Sequence, residues 1–119
     1  MTREEMKFRT KNYANRIVKL CSELPNSWVA QTLGKQLLRS GTSVGANYRA
    51  ICRAKSSADF INKLRIVEEE CDESLLWMEL LVENNLIKSA HVHELMQEAD
   101  QILAITVASA KTARTSIRS

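Results

Sequence analysis

Pro25 is the only proline in the chain, and glycine occurs only three times in 119 residues. With so few breakers, long uninterrupted helices are the default outcome. Four segments read as amphipathic helices, over about residues 4–24, 27–54, 57–84 and 90–111, with a polar tail over 112–119. In the first, Tyr13, Ile17, Leu20, Cys21 and Leu24 recur at helical spacing until Pro25 stops the run. Asn26 or Ser27 can cap the second. Ser56 and Asp59 resemble a capping box at the start of the third, with Asp in place of Glu. That helix carries the stripe Phe60, Leu64, Val67, Cys71, Leu75, Met78 and Val82. The fourth aligns Val92, Leu95, Met96, Ala99, Ile102, Leu103 and Thr106. No segment alternates with period two. Short connections make neighbouring helices antiparallel, so the expected fold is all-α, a single up-down-up-down four-helix bundle.

The stretch RSGTSVGANYR, residues 39–49, holds two of the glycines. A phosphate-binding loop of the Walker type needs GxxxxGK[ST] after a strand, whereas Ala46 follows Gly45 and the preceding residues have helical period. If one helix instead runs from Trp28 to Arg53 at ~100° per residue, three stripes separate. Leu33, Leu37, Val44, Tyr48 and Ile51 form an apolar sector. Gly34, Gly41, Gly45 and Cys52 line up beside it. Lys35, Arg39, Arg49 and Arg53 fall across the helix from the apolar residues. Interior glycines cost about 1 kcal/mol each relative to alanine. A neighbouring helix packed closely over Gly34, Gly41 and Gly45 would offset that; a kink at Gly41 is the alternative.

Charge is segregated along the chain. Residues 1–65 carry 13 Lys and Arg against 4 Asp and Glu, a net +9; residues 66–119 carry 4 against 10, a net −6. Such a division suits a polyanion on one surface, or oppositely charged faces that meet on self-association. The candidate nucleic-acid contacts are Lys35, Arg39, Arg49 and Arg53, with Lys55 just beyond and Arg16 and Lys19 extending the stripe from the first helix. Aromatic interleaving within the stripe is poor, so stacking on single strands is not expected. On the third helix Ile66, Trp77 and Leu80 fall away from the core stripe and predict a self-association surface, flanked by Glu68, Glu69, Glu70, Asp72 and Glu73.

Little else in the chain suggests chemistry. His91 and His93 point ~200° apart on a helix and cannot share a metal. Cys21, Cys52 and Cys71 fit core thiols in a reducing compartment. Ser40, Thr42 and Ser43 have no histidine near them in sequence, and Ser40 and Asn47 fit either a satisfied pair or backbone bonding, or a polar network that fixes helix register. Neither a catalytic site, a metal, a cofactor nor a small-molecule substrate is therefore expected. No apolar run spans a membrane, and MTREEMKFRT lacks an apolar signal core, so a cytoplasmic location is expected.

The strings RIVKLCSELPNS, LGKQLLRSGTSVGANYRA and RAKSSADFINKLRIVEEECDESLLWMELL resemble the 23S rRNA-intervening-sequence protein family over roughly residues 8–87. Family members are encoded in bacterial genomes, some within large-subunit rRNA genes. The resemblance implies an antiparallel four-helix bundle that assembles into a ring-like homopentamer, with no enzymatic activity. It also implies similarity in shape to the accessory protein of diversity-generating retroelements, which binds nucleic acid and a reverse transcriptase. Ala50 stands where the family often has Glu after ANYR. Two functions follow as expectations. One is a homo-oligomeric bundle that binds nucleic acid, RNA favoured. The other is a scaffold whose charged faces serve assembly or a protein partner.

Overall fold

The structure, a computed structural model, describes the backbone of residues 1–118 and the side chains of residues 1–116. It contains four helices: α1 (Arg3–Ser22), α2 (Trp28–Ile51), α3 (Ser57–Glu83) and α4 (Ser89–Arg118). There is no strand among the described residues.

The ends of the helices follow local chemistry. Thr2 and Glu5 form a full capping box at α1, each side chain accepting from the other's backbone N–H. These bonds hold the Glu5 carboxyl below its ordinary pKa. At α2 the Ser27 hydroxyl accepts from the Ala30 N–H. The box expected at α3 is half formed. Ser56 accepts from the Asp59 N–H, but the Asp59 carboxylate reaches past Ser56 to the Lys55 N–H and pairs with Lys63. The Lys63 ammonium is the main reason that carboxyl lies below its usual value. α3 ends in a Schellman motif around Asn85, which has φ 57°: Leu86 N–H donates to the Leu81 carbonyl and Asn85 N–H to that of Val82. α4 passes Lys111, where a polar tail was expected. Ala110 is still buried there and Ala113 half-buried, so the helix keeps packing through small side chains beyond Val107.

The four helices run antiparallel in chain order, α2 packing broadly on α1 and α3, and α3 on α4. α1 and α4 close the bundle more sparsely. Their seam is fastened by Arg9, which makes two bonds to the Glu98 carboxylate at 2.6 and 2.8 Å and one to Gln101. The molecule is 51 × 21 × 20 Å. Tyr13, Ile17, Leu37, Val44, Ile51, Leu64, Val67, Met78, Leu81, Val92 and Ile102 fill its axis.

Buried polar groups mostly bond within their own helix. The Thr10, Ser40 and Thr106 hydroxyls donate to carbonyls one turn back, and Asn47 does the same to Ser43. Ser40 and Asn47 thus take the backbone bonding, and among the described residues no side-chain network links them. The polar link that crosses the core is Tyr13 on α1 with Ser74 on α3, oxygen to oxygen at 2.7 Å. Cys71 and Cys21 are thiols facing neighbouring helices, donating to the Ala99 and Gly34 carbonyls. Burial pushes the Cys21 pKa up to about 11 and that of Cys71 to about 12.

Candidate nucleic-acid interface

α2 runs straight through its glycines, all of which have ordinary helical backbone with negative φ. Gly34, Gly41 and Gly45 face α1. A Cβ at Gly41 would lie 2.7 Å from both Cγ1 and Cγ2 of Ile17. One at Gly45 would lie 3.2 Å from the Thr10 carbonyl oxygen and 3.4 Å from Ala14 Cβ. The two helices are thus seated close together, and this seating sets the register of the side chains on the outer surface.

That register sorts the expected cations into different places. Lys35, Arg49 and Arg53 are exposed on the outer side of α2. Arg39 is not available in the same way. Its guanidinium spans to α3, pairing with Glu70 at 3.2 Å and with Glu73, while its Nε donates to Gln36. The acidic run that might have met another subunit is therefore partly answered within the chain. Arg16 and Lys19 do not extend the stripe. Arg16 lies ~200° around the helix from Ala14, which faces Gly45. With His91, Glu23, Leu20 and Leu95, Arg16 and Lys19 line a separate cleft between α1 and α4. Lys55 sits at the end of the bundle in a cleft of about 480 Å³ with Arg3, whose guanidinium lies 4.6 Å over the Phe60 ring.

Two cations that sequence reasoning missed join the outer face. Lys7 and Lys11, one turn apart on α1, line a cleft of about 290 Å³ with Arg49 of α2. Its other lining residues are Ala14, Thr42, Gly45 and Ala46, all small, and none is acidic. Among the described residues, Lys7, Lys11, Lys35, Arg49 and Arg53 form no ion pair. The signal was present in principle: Lys7, Lys11 and Ala14 share the side of α1 that must face the glycine stripe.

Ile66, Trp77 and Leu80 are each half-buried within the single chain. Trp77 packs partly on the core and donates its indole N–H to Glu73 at 3.3 Å. The more exposed apolar residues are Met1, Phe8, Val18, Trp28, Val29, Leu38, Leu76 and Val107. The hydroxyls of Ser40 and Thr42 bond helix carbonyls, and among the described residues no histidine or carboxylate bonds to either. His91 and His93 are both exposed. Among the described residues, no group of three or more His, Cys, Asp or Glu is placed to hold a metal. No helix there is long and apolar enough to cross a membrane.

A related protein of known structure shares this architecture. A solved structure from Bacteroides thetaiotaomicron, described as a protein of unknown function from the S23 ribosomal protein family, has 36% sequence identity and a TM-score of 0.86. The alignment covers 93% of this chain and 99% of that one. None of the curated proteins matches the chain. The family model described as 23S rRNA-intervening sequence protein matches residues 5–108, nearly the whole bundle. The chain belongs to the 23S rRNA-intervening sequence protein family.

Proposed function

We propose that this protein is a non-enzymatic, homo-oligomeric bundle that binds nucleic acid, RNA favoured, through the outer face of α1 and α2. The observation that carries this reading is the cleft shared by Lys7, Lys11 and Arg49, with Lys35 and Arg53 exposed along the same side of α2 and, among the described residues, no carboxylate paired to any of the five. Unneutralised cations at this density attract a phosphate chain at long range, and each phosphate neutralised releases counterions. The family is named for intervening sequences of rRNA, which makes RNA the first ligand to test.

Filter binding or anisotropy across a salt series tests it. Affinity should fall with a log–log slope of about −0.7 to −0.9 per neutralised phosphate. Lys35→Glu with Arg53→Glu should weaken binding to unrelated sequences alike, since phosphate contacts position rather than specify. Absence of binding to RNA or DNA at low salt refutes the reading.

Self-association is part of the proposal, through the outer side of α3. Leu76 is 45% exposed and adjoins Leu80 one turn on, beside acidic residues only partly matched by Arg39. Trp77→Glu would strike the monomer's own packing, so Leu76→Glu with Leu80→Glu is the cleaner variant. Light scattering should report a multimer, with five subunits expected, that the double variant dissociates while helical content persists. A wild-type monomer would remove this part. In the second reading the same α3 face serves a protein partner. That reading gains if the protein is a multimer yet binds no nucleic acid.

A further inference from the structure

Phe8 is 73% exposed. A single exposed apolar side chain is ordinary, and Trp28 is more exposed still, but the surroundings of Phe8 set it apart. On the helix surface its neighbours one turn away are Glu4, Glu5, Lys11 and Asn12, with Lys7 preceding it in sequence. No apolar side chain on α1 extends the patch: Met6, Tyr13 and Ile17 are buried in the core, and Val18 lies almost three turns further on. The core of a protein interface is a contiguous apolar patch depleted in charge. A ring bordered by two ammoniums, two carboxylates and an amide, with the exposed Met1 before the helix turned to Arg9, does not fit that description.

It does fit the two-part pattern of single-strand recognition, a positively charged groove for the backbone beside an aromatic face for a base. Lys7 and Lys11 flank Phe8 in sequence, and both turn toward the cleft they share with Arg49. They are four residues apart, so they present charge at roughly 6 Å intervals along α1. The cleft between them and Arg49 has only Ala14, Thr42, Gly45 and Ala46 at its base. No bulky side chain fills it, which lets an anion settle between the three cations. The nearest acidic groups on α1 are Glu4 and Glu5, and Glu5 is already engaged with Thr2 in the capping box.

Resting on the nucleic-acid reading above, we propose that this edge of the bundle takes a single-stranded or looped segment of nucleic acid. Phosphates enter the Lys7–Lys11–Arg49 cleft and a base stacks on Phe8. The α2 cations alone gave no reason to expect stacking; the exposed ring on α1 does.

The test is anisotropy with a fluorescent single-stranded oligonucleotide and with the duplex of the same sequence. Wild type should prefer the single strand. Phe8→Ala should weaken single-strand binding about 5- to 150-fold, the range for losing one stacked base, and leave duplex binding nearly unchanged. Phe8→Trp should retain binding, its added indole fluorescence quenched by the oligonucleotide. Lys7→Glu with Lys11→Glu should weaken binding to both forms and flatten the salt slope by about 1.4 or more. Circular dichroism and light scattering accompany each variant. Binding by wild type that is untouched by Phe8→Ala overturns this proposal and leaves the broader reading standing. Loss of oligomeric mass in Phe8→Ala overturns it in favour of a second copy covering Phe8. Absence of any wild-type binding overturns both.

Discussion

Replacing Gly41 with alanine measures how tightly α1 and α2 are seated. In an exposed helix the change would stabilise by about 1 kcal/mol through helix propensity. At this position the new Cβ meets Ile17 Cγ1 and Cγ2 at 2.7 Å and its Cβ at 3.0 Å. Ile17 is fully buried and β-branched, with one strongly favoured helical rotamer. Its Cβ cannot yield unless α1 itself moves. Overpacking of this kind costs about 1–3 kcal/mol, which leaves a net loss of about 0–2 kcal/mol. Gly34→Ala is the internal control. There the Cβ meets only Leu24 Cδ1, the far end of a half-buried side chain beyond the end of α1. That end can swing aside, so about 0.5–1 kcal/mol of the propensity gain should survive. Urea unfolding followed by circular dichroism should shift the two midpoints in opposite directions. With m of about 1–3 kcal/mol/M the gap should be roughly 0.2–3 M. Equal stabilisation by both substitutions would refute the close seating over Gly41.

Three further outcomes follow from the same geometry. Tyr13→Phe removes the Tyr13–Ser74 bond but leaves the Ser74 hydroxyl its bond to the Cys71 carbonyl, so the loss should be about 0.5–1.5 kcal/mol by urea unfolding; a neutral result would show that the link contributes nothing. Burial raises the pKa of Cys21 and Cys71 from 9.0, and of Tyr13 from 10.0, so the unfolded chain releases these protons first. The melting temperature should hold up to pH 9 and fall as pH rises toward 12; a flat profile through pH 11 contradicts the burial of these groups. Asn85→Gly should keep or raise stability, while Asn85→Val should lower it by about 1–2 kcal/mol, because φ at this position is positive; equal melting temperatures would argue against the Schellman ending of α3.

Much of the fold was legible because it rests on local chemistry. Pro25, Ser27 and Ser56 mark helix boundaries, and the stripes from Leu64 to Met78 and from Val92 to Ile102 follow a single period. The end of α4 was harder to read, since Ala110 and Ala113 pack through small side chains that carry little hydropathy signal. The interface was legible only in part, because a helical wheel shows a direction and not what lies there. Arg39 points outward on α2 as the wheel requires, yet the edge of α3 brings Glu70 and Glu73 within its reach. Lys7 and Lys11 acquire meaning only when α1 docks on the glycine stripe and brings them opposite Arg49. For the same reason Arg16 and Lys19 turn to α4. Trp77 looked free of the core on its own helix, but the assembled bundle half-buries it.

Photocrosslinking of the intact protein to labelled RNA, with the attached residues located by mass spectrometry, tests the central claim most directly. Crosslinks should concentrate on α1 around Lys7, Phe8 and Lys11 and on α2 around Lys35, Arg49 and Arg53. Charge reversal at Lys7 and Lys11 should abolish those on α1. Crosslinks confined to α3 and α4, or none above those of an acidic control protein, would contradict it.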